Sequence, residues 1–243
     1  MELTILHLYP DMMSLYGEYA NVAVLRRHLE SLNVTVTVRC AVCEAVPDFS
    51  GVDLIYMGAG TERRQKAVLN AAPRCAEALK AAAEQAVILF TGNAMETLGA
   101  SVTDAEGKVW PGYGLADFVT EETGQRTPGD VVASSVLWDA PAVGFMNKCS
   151  VTRGVASPLF RELPLGFGND AVHGPEGYVS GDVFATHLTG PVLVKNPDFL
   201  DFILRRLFIR KSWELPEQFP VLPHEREAYA VTLRELEARV KIE

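Results

Sequence analysis

The segment with the clearest potential for chemistry runs from residue 87 to residue 99, where an apolar run passes through a sharp turn into a helical pattern. A buried strand followed by a turn and a helix is the arrangement of a nucleophile elbow. The turn presents one side chain at the sheet edge, and the helix N-terminus behind it offers backbone N–H groups to an oxyanion. The candidates at the turn are Thr91 and Gly92, followed by Asn93. Neither candidate is a strong nucleophile without an activating base.

The pattern around this turn predicts a parallel sheet that positions it. Apolar runs at residues 3–8, 52–57 and 86–90 predict buried strands, and residues 34–39 alternate as a further strand does. Helical spacing covers residues 16–32, and Thr61 is placed to cap a long helix that continues to about Ala83. Alternating strands and helices predict a parallel sheet covered on both faces.

Ligands of such sheets bind beyond the carboxyl ends of the strands. Three predicted loops lie there, at residues 9–16, 58–65 and 91–96. We therefore expect a ligand site among these three loops.

The second half of the chain gives weaker patterns. Residues 99–130 contain several glycines and are predicted to form loops with short strands, followed by antiparallel strands at 131–137 and 142–145. A late strand is predicted at 183–188, an amphipathic helix at 197–211 and a charged C-terminal helix at about 222–240. Because no repeat or long linker interrupts the chain, we expect a single domain over residues 1–243.

Composition narrows the functional class. The chain has 243 residues, 48% of them apolar, and 22 Lys+Arg against 31 Asp+Glu give a net charge of −9. The apolar content excludes a disordered chain, and the negative charge argues against a nucleic-acid binder. We expect a cytoplasmic protein, because the sequence has neither a long apolar span nor a signal-peptide pattern.

The four cysteines are expected to be free thiols in a reducing compartment. Cys40 and Cys43 have the spacing of a redox or metal pair, but two unpaired thiols at a strand end are the simpler interpretation. The sequence gives no evidence for a metal ion or a nucleotide, so no cofactor is predicted.

Several short motifs occur in an order that resembles the class I glutamine amidotransferase family, over most of the chain. The resemblance is strongest to its cobyric-acid-synthase-like branch, which contains the GatD glutaminase subunits of lipid II isoglutaminyl synthases. The motifs are Leu8-Tyr-Pro-Asp11, Leu15-Tyr-Gly17 with Asn21, Gly58-Ala59-Gly60 with Arg64-Gln65, the turn through Leu98-Gly99, Val143-Gly-Phe145 with Asn147, Gly166-Phe-Gly-Asn169 with Glu176-Gly177, and Thr186-His-Leu-Thr-Gly-Pro191 with Lys195-Asn-Pro197.

This resemblance implies a flavodoxin-like, three-layer α/β fold and a site for glutamine or a glutamine-like molecule. In the family an elbow cysteine attacks the glutamine amide, a histidine before Gly-Pro is its base, and a glycine-rich loop forms part of the oxyanion hole. The ammonia passes to a partner, a Mur-ligase-like synthetase in the GatD case. The positions that match the family's ligand-binding motifs are Gly58, Ala59, Gly60, Arg64, Asn93, Asn147 and Asn169.

The sequence departs from the family at both catalytic positions. The elbow cysteine aligns with Gly92 when the alignment is anchored on Leu98-Gly99, and with Thr91 when it is anchored on the end of the strand. The residue at the base position, before Gly190, is Thr189. His187 stands two residues earlier, and residues i and i+2 of a strand share a face. His187 could therefore point the same way, about 7 Å further along the strand at roughly 3.3 Å per residue.

Two functional hypotheses follow. In the first, the chain keeps the fold and the partner-binding surface but hydrolyses no glutamine. It then acts as a regulatory or structural subunit, or binds a small ligand in the former glutamine pocket. In the second, a relocated Thr91/His187 pair hydrolyses glutamine for a cell-wall precursor or a cobyric-acid-type acceptor. Cys149 and His173 are weaker site candidates, and Arg63 or Arg64 could meet an acidic ligand.

Overall fold

In a computed structural model, which describes residues 1–172, 174–220, 222 and 224–240, the chain forms two β-sheets and seven α-helices. The strands are β1 (Glu2–Leu8), β2 (Thr35–Ala41), β3 (Leu54–Met57), β4 (Val87–Thr91), β5 (Ser101–Thr103), β6 (Val109–Pro111), β7 (Val119–Ser134), β8 (Ala142–Arg153), β9 (Glu162–Leu165), β10 (Tyr178–Ser180) and β11 (Val183–Thr186). The helices are α1 (Tyr19–Ser31), α2 (Glu62–Ala71), α3 (Ala76–Ala83), α4 (Ala94–Thr97), α5 (Val192–Lys195), α6 (Pro197–Arg210) and α7 (Glu225–Val240).

The first sheet has the order β10-β11-β4-β3-β1-β2, and every neighbouring pair except β10 with β11 is parallel. Successive side chains of a strand point to opposite faces. Leu3 and Ile5 accordingly pack in one apolar core with α1 and α6, whereas Leu6 and Leu8 pack in a second core with α2 and α3. The predicted three-layer α/β fold with a mostly parallel central sheet is therefore confirmed.

The long helix predicted after Thr61 is divided in two. Thr61 does cap α2, because its Oγ1 accepts from the Arg64 amide at 3.3 Å. Residues 72–74 form a 3₁₀ turn instead of continuing the helix, and α3 begins only at Ala76. Pro73 explains the break, since proline has no amide hydrogen and its ring clashes with the preceding helical turn.

The second sheet, of order β6-β5-β7-β8 with β9 paired to β7, was not predicted at its true extent. Residues 119–130 were expected to be loops with short strands, but they belong to β7, and the strand expected at 142–145 is the start of β8. The first half of β7 is rich in Thr, Glu and Gly and half exposed, so it lacks the apolar run of a buried strand. An irregularity between Glu122 and Thr127 interrupts the pairing of β7 with β8.

The second sheet reaches the carboxyl-terminal edge of the first. Phe145 of β8 forms an isolated antiparallel bridge with Thr189, just after β11. This bridge brings the middle of β8 over the loops that the sequence places at the site. The late strand ends at Thr186, two residues earlier than predicted.

The C-terminal helix begins at Glu225 in place of about 222, and residues 221, 223 and 241–243 lie outside the described residues. The candidate His173 lies outside them as well. Within the described ranges, no helix is long and apolar enough to cross a membrane.

Candidate functional site: a turn without a nucleophile

The sharp turn after β4 falls at Gly92. Its φ is +61°, in the left-handed region that favours glycine, and its amide donates to the Leu188 carbonyl at 3.0 Å. A Cβ at this position would approach the Ala59 side chain more closely than 3.0 Å and Thr189 Oγ1 at 3.4 Å. The tip of the turn therefore faces the glycine loop and the end of β11, as an elbow residue would, but it has no side chain and no room for one.

Thr91 lies beneath this tip rather than on it. Its side chain is fully buried, and its Oγ1 is 2.6 Å from Glu18 Oε2 and 2.9 Å from the Tyr56 hydroxyl. These contacts hold the Thr91 hydroxyl in the first sheet's interior. Thr91 does not line the cavity described below.

A buried carboxylate, Glu18, ties the turn to the end of β11. Its Oε1 accepts from Thr189 Oγ1 and from the Gly190 amide, both at 2.9 Å. Its Oε2 accepts from Thr91, from Tyr56 at 2.5 Å and from Asn21 at 3.0 Å. Burial raises the pKa of Glu18, and these hydrogen bonds partly oppose that shift. Thr189 is thus held by a carboxylate on the side away from the cavity.

The glycine loop after β3 is closed by a side chain. Asn93 Oδ1 accepts from the Gly60 amide at 2.9 Å, and Asn93 Nδ2 donates to the Gly60 carbonyl at 3.0 Å. A Cβ at Gly58 would meet the Glu18 side chain at 2.5 Å, which explains why glycine stands there. The Gly60 N–H, which could otherwise stabilise an oxyanion, already has a partner.

His187 is buried and oriented by Glu176. Glu176 Oε1 accepts from the His187 amide at 2.6 Å and lies 3.0 Å from Nδ1. The other ring nitrogen, Nε2, is 3.4 Å from Thr152 Oγ1 and 3.7 Å from Glu96 Oε1.

Because β11 ends at Thr186, the strand alternation that would align His187 with Thr189 does not extend to them. His187 contacts Glu176 and Thr152, whereas Thr189 contacts Glu18. The imidazole makes no hydrogen bond to Thr91 in the described residues.

A cavity of about 240 Å³ opens beside the turn, between the loops of the first sheet and the strands of the second. Seven predicted site residues line it: Ala59, Gly60, Gly92, Asn93, Asn147, His187 and Thr189. Four do not: Gly58, Arg64, Thr91 and Asn169. Arg64 is exposed, with its Nη1 3.5 Å from the Met12 carbonyl, and Asn169 braces a loop through two hydrogen bonds to Gly177.

The cavity wall also holds charged residues that the sequence did not single out. Arg126 of β7 pairs with Glu62 at 2.5 Å, and the Cys149 thiol donates to the same Glu62 oxygen at 3.2 Å. Burial and this hydrogen bond raise the pKa of Cys149 to about 12, so the group is a thiol at neutral pH.

On the floor, Lys148 donates to the carbonyls of Gly168 and Asn169, and Glu96 accepts from Ser150 and Gln65. Burial lowers the pKa of Lys148. Burial alternates along β8 and places residues 148 and 150 on one buried face, and this alternation is the sequence signal for them. Across the described ranges, no group of three or more His, Cys, Asp and Glu side chains is arranged to hold a metal ion.

The fold is shared with solved glutamine amidotransferase structures. A crystal structure titled as a glutamine amidotransferase has a TM-score of 0.53 at 13% identity, covering 85% of this chain and 98% of that one. The glutaminase domain of Trypanosoma brucei CTPS with bound acivicin has a TM-score of 0.53 at 10% identity, covering 91% and 98%. At these identities the likeness shows the fold alone, which is the flavodoxin-like fold of class I glutamine amidotransferases.

The chain matches the CobB/CobQ-like glutamine amidotransferase domain over residues 4–197 and belongs to that family. Two curated relatives are each named lipid II isoglutaminyl synthase (glutamine-hydrolyzing) subunit GatD. The one from Staphylococcus aureus (strain N315) is 29% identical over 213 residues, covering 87% of this chain and 86% of the relative. The one from Streptococcus pneumoniae (strain ATCC BAA-255 / R6) is 26% identical over 223 residues, covering 90% and 85%.

Proposed function

We propose that this chain is a GatD-like subunit of a complex that amidates lipid II, that it binds a Mur-ligase-like synthetase, and that it hydrolyses no glutamine. The family match and the two GatD relatives, each aligned over more than four fifths of both chains, support the lipid II role. A cobyric-acid-type acceptor is supported only by the name of the family, CobB/CobQ-like, and by neither of the two relatives. Within the complex, the chain keeps the fold while its site takes a non-hydrolytic role.

The observation that carries the loss of hydrolysis is the turn at Gly92. Amide hydrolysis by this route needs a nucleophile, an adjacent base and an oxyanion site. Gly92 has no side chain, and the Ala59 side chain occupies the space that a Cβ would need. Thr189 is bound to Glu18, and the Gly60 amide is bound to Asn93. The nucleophile is therefore absent, the residue at the base position is held by Glu18, and the Gly60 amide is not free to bind an oxyanion.

The alternative Thr91/His187 pair has no support in the contacts. A general base must come within about 2.6–3.2 Å of the group that it deprotonates. Thr91 Oγ1 is occupied by Tyr56 and Glu18, and His187 by Glu176 and Thr152. Among the residues that the structure describes, the two side chains share no hydrogen-bond partner.

The test is glutamine hydrolysis by the purified chain, alone and in complex with the Mur-ligase-like synthetase of the same organism. We expect no ammonia release above background, with the synthetase co-purifying, and lipid II amidation that proceeds with ammonium chloride but not with glutamine. Ammonia release that Thr91→Ala and His187→Ala abolish would contradict the proposal. The matched controls are Thr232→Ala and His224→Ala, because both side chains are exposed on or beside α7.

A further inference from the structure

The mouth of the cavity is crossed by a chain of hydrogen bonds between partly exposed side chains. Tyr16 lines the cavity and is 48% exposed, and its hydroxyl accepts from Asn147 Nδ2 at 2.8 Å. Asn147 Oδ1 in turn accepts from Arg126 Nη1 at 3.2 Å, and Arg126 pairs with Glu62. All four residues line the cavity, whereas the residues of its floor are buried. These four residues therefore form the rim of the cavity.

The hydrogen bond between Tyr16 and Asn147 joins the two sheets across this rim. Tyr16 belongs to the loop after β1, in the first sheet, and Asn147 belongs to β8, in the second. Both groups are near solvent, so water can replace either partner when the bond breaks, and the net cost of breaking it is small. The link can therefore open without disturbing the buried contacts of either sheet.

The backbone at Tyr16 gives its side chain a way to move. Tyr16 has φ +60° and ψ +22°, in the left-handed region that is disfavoured for a residue with a Cβ, and Gly17 follows with φ +79°. The flanking residues are anchored, because the Leu15 amide donates to the Ala59 carbonyl at 2.8 Å and Glu18 lies in the buried network described above. Glycine adopts either sign of φ, so residues 16 and 17 can change conformation between two fixed neighbours.

We propose that Tyr16 is a gate that limits the size of the molecules that enter the cavity. In the closed state, which the structure shows, the ring stands at the mouth and the hydroxyl accepts from Asn147. In the open state this hydrogen bond is broken, the strained backbone at residues 16 and 17 relaxes, and the ring turns towards solvent. The inference rests on the proposed function only in taking this cavity as the ligand site, and it is independent of whether glutamine is hydrolysed.

The experiment is alkylation of Cys149, which lines the cavity, at alkaline pH by iodoacetamide and by the much larger fluorescein maleimide. The quantity measured by peptide mass spectrometry is the maleimide rate divided by the iodoacetamide rate. A change in thiol acidity alters both rates alike, whereas a wider mouth favours the larger reagent. We expect Tyr16→Phe to raise this ratio roughly two- to tenfold, since it removes one hydrogen bond. Tyr16→Ala should raise it further, since it also removes the ring.

The matched control is Tyr19→Phe, because Tyr19 is 63% exposed and its hydroxyl makes no hydrogen bond among the described residues. Its ratio at Cys149 should equal that of the unaltered chain. Cys75 is buried in the second core and should stay unmodified in every variant, which checks that the fold is intact. If Tyr16→Ala exposes Cys75, the conservative variant Tyr16→Phe decides.

An unchanged ratio in the Tyr16 variants, or an equal rise in Tyr19→Phe, would overturn the gate. Ammonia release from glutamine, measured separately, would instead overturn the proposed loss of hydrolysis. The two failures are therefore distinguishable.

Discussion

Burial and the hydrogen bond to Glu62 keep the Cys149 thiol protonated and therefore unreactive. Its pKa is raised to about 12 by burial and by the hydrogen bond to Glu62, so only a minute fraction is thiolate at pH 8. We expect Glu62→Gln to speed alkylation of Cys149 by iodoacetamide, since each unit by which the pKa falls raises the thiolate fraction about tenfold. The rate is measured by peptide mass spectrometry between pH 7 and pH 10.

Cys40 serves as an internal control for the alkylation rate in the same digest. Cys40 is exposed and distant in sequence from Glu62, so its alkylation rate should be equal in both proteins. In the unaltered chain, the Cys149 rate should keep rising up to pH 10 without a plateau, because that range lies below its pKa. An equal Cys149 rate in Glu62→Gln would mean that Glu62 does not hold the thiol protonated.

At the scale of elements, the turn after β4 and the glycine loop after β3 are fitted to each other. Gly92→Ala imposes a left-handed φ on a residue with a Cβ and also drives that atom into Ala59. Left-handed strain costs about 1–2 kcal/mol, and overpacking adds about 1–3 kcal/mol. We therefore expect a loss of about 3 kcal/mol in the free energy of unfolding, measured by urea denaturation.

Gly107→Ala is the matched control, because Gly107 has φ +82° and open space where a Cβ would be. It should cost about 1–2 kcal/mol, from strain alone. Adding Ala59→Gly to Gly92→Ala should recover the overpacking part of the loss, because it removes the colliding methyl group. If Gly92→Ala and Gly107→Ala lowered the free energy of unfolding equally, the close packing of Gly92 against Ala59 would be contradicted. A double variant no more stable than Gly92→Ala would contradict it as well.

The elements that could be predicted from sequence are the ones with continuous apolar runs. Strands β1, β3 and β4 are largely buried on both faces, so the sequence shows them as continuous apolar runs, and their short length distinguishes them from helices. The first half of β7 is stabilised by pairing with β8 rather than by its own apolar residues, so nothing local identified it. The missed second sheet also hid part of the cavity wall, which includes Glu122 and Arg126.

The position of the loops at the candidate site could be predicted from the sequence, but the contacts of His187 and Thr189 could not. The loops near Gly60 and Gly92 follow from the parallel sheet, because ligand sites lie at the carboxyl ends of strands. The separation of His187 from Thr189 depends on where β11 ends, and strand ends are the least reliable part of a sequence prediction. The contact of Thr189 with Glu18 joins residues 171 positions apart, which no local pattern encodes.

For the whole molecule, one buried histidine of the central sheet makes the stability depend on pH. His7 lies in β1 beside Tyr56, its Nε2 has no partner among the described residues, and burial lowers its pKa to about 4. An unfolded histidine has a pKa near 6.5, so the unfolded chain binds the proton more readily. The stability associated with a neutral His7 is therefore complete above pH 6.5 and falls as the pH decreases towards 4.

The expected loss over that window is about 3 kcal/mol, from a shift of about 2.5 pKa units at 1.36 kcal/mol each. His7→Leu cannot bind the proton, so its free energy of unfolding should fall less than that of the unaltered chain between pH 6.5 and pH 4. The control is His224→Gln, because the His224 side chain is 84% exposed. Urea denaturation at several pH values gives both slopes, and parallel slopes for His7→Leu and the unaltered chain would show that another group governs acid stability.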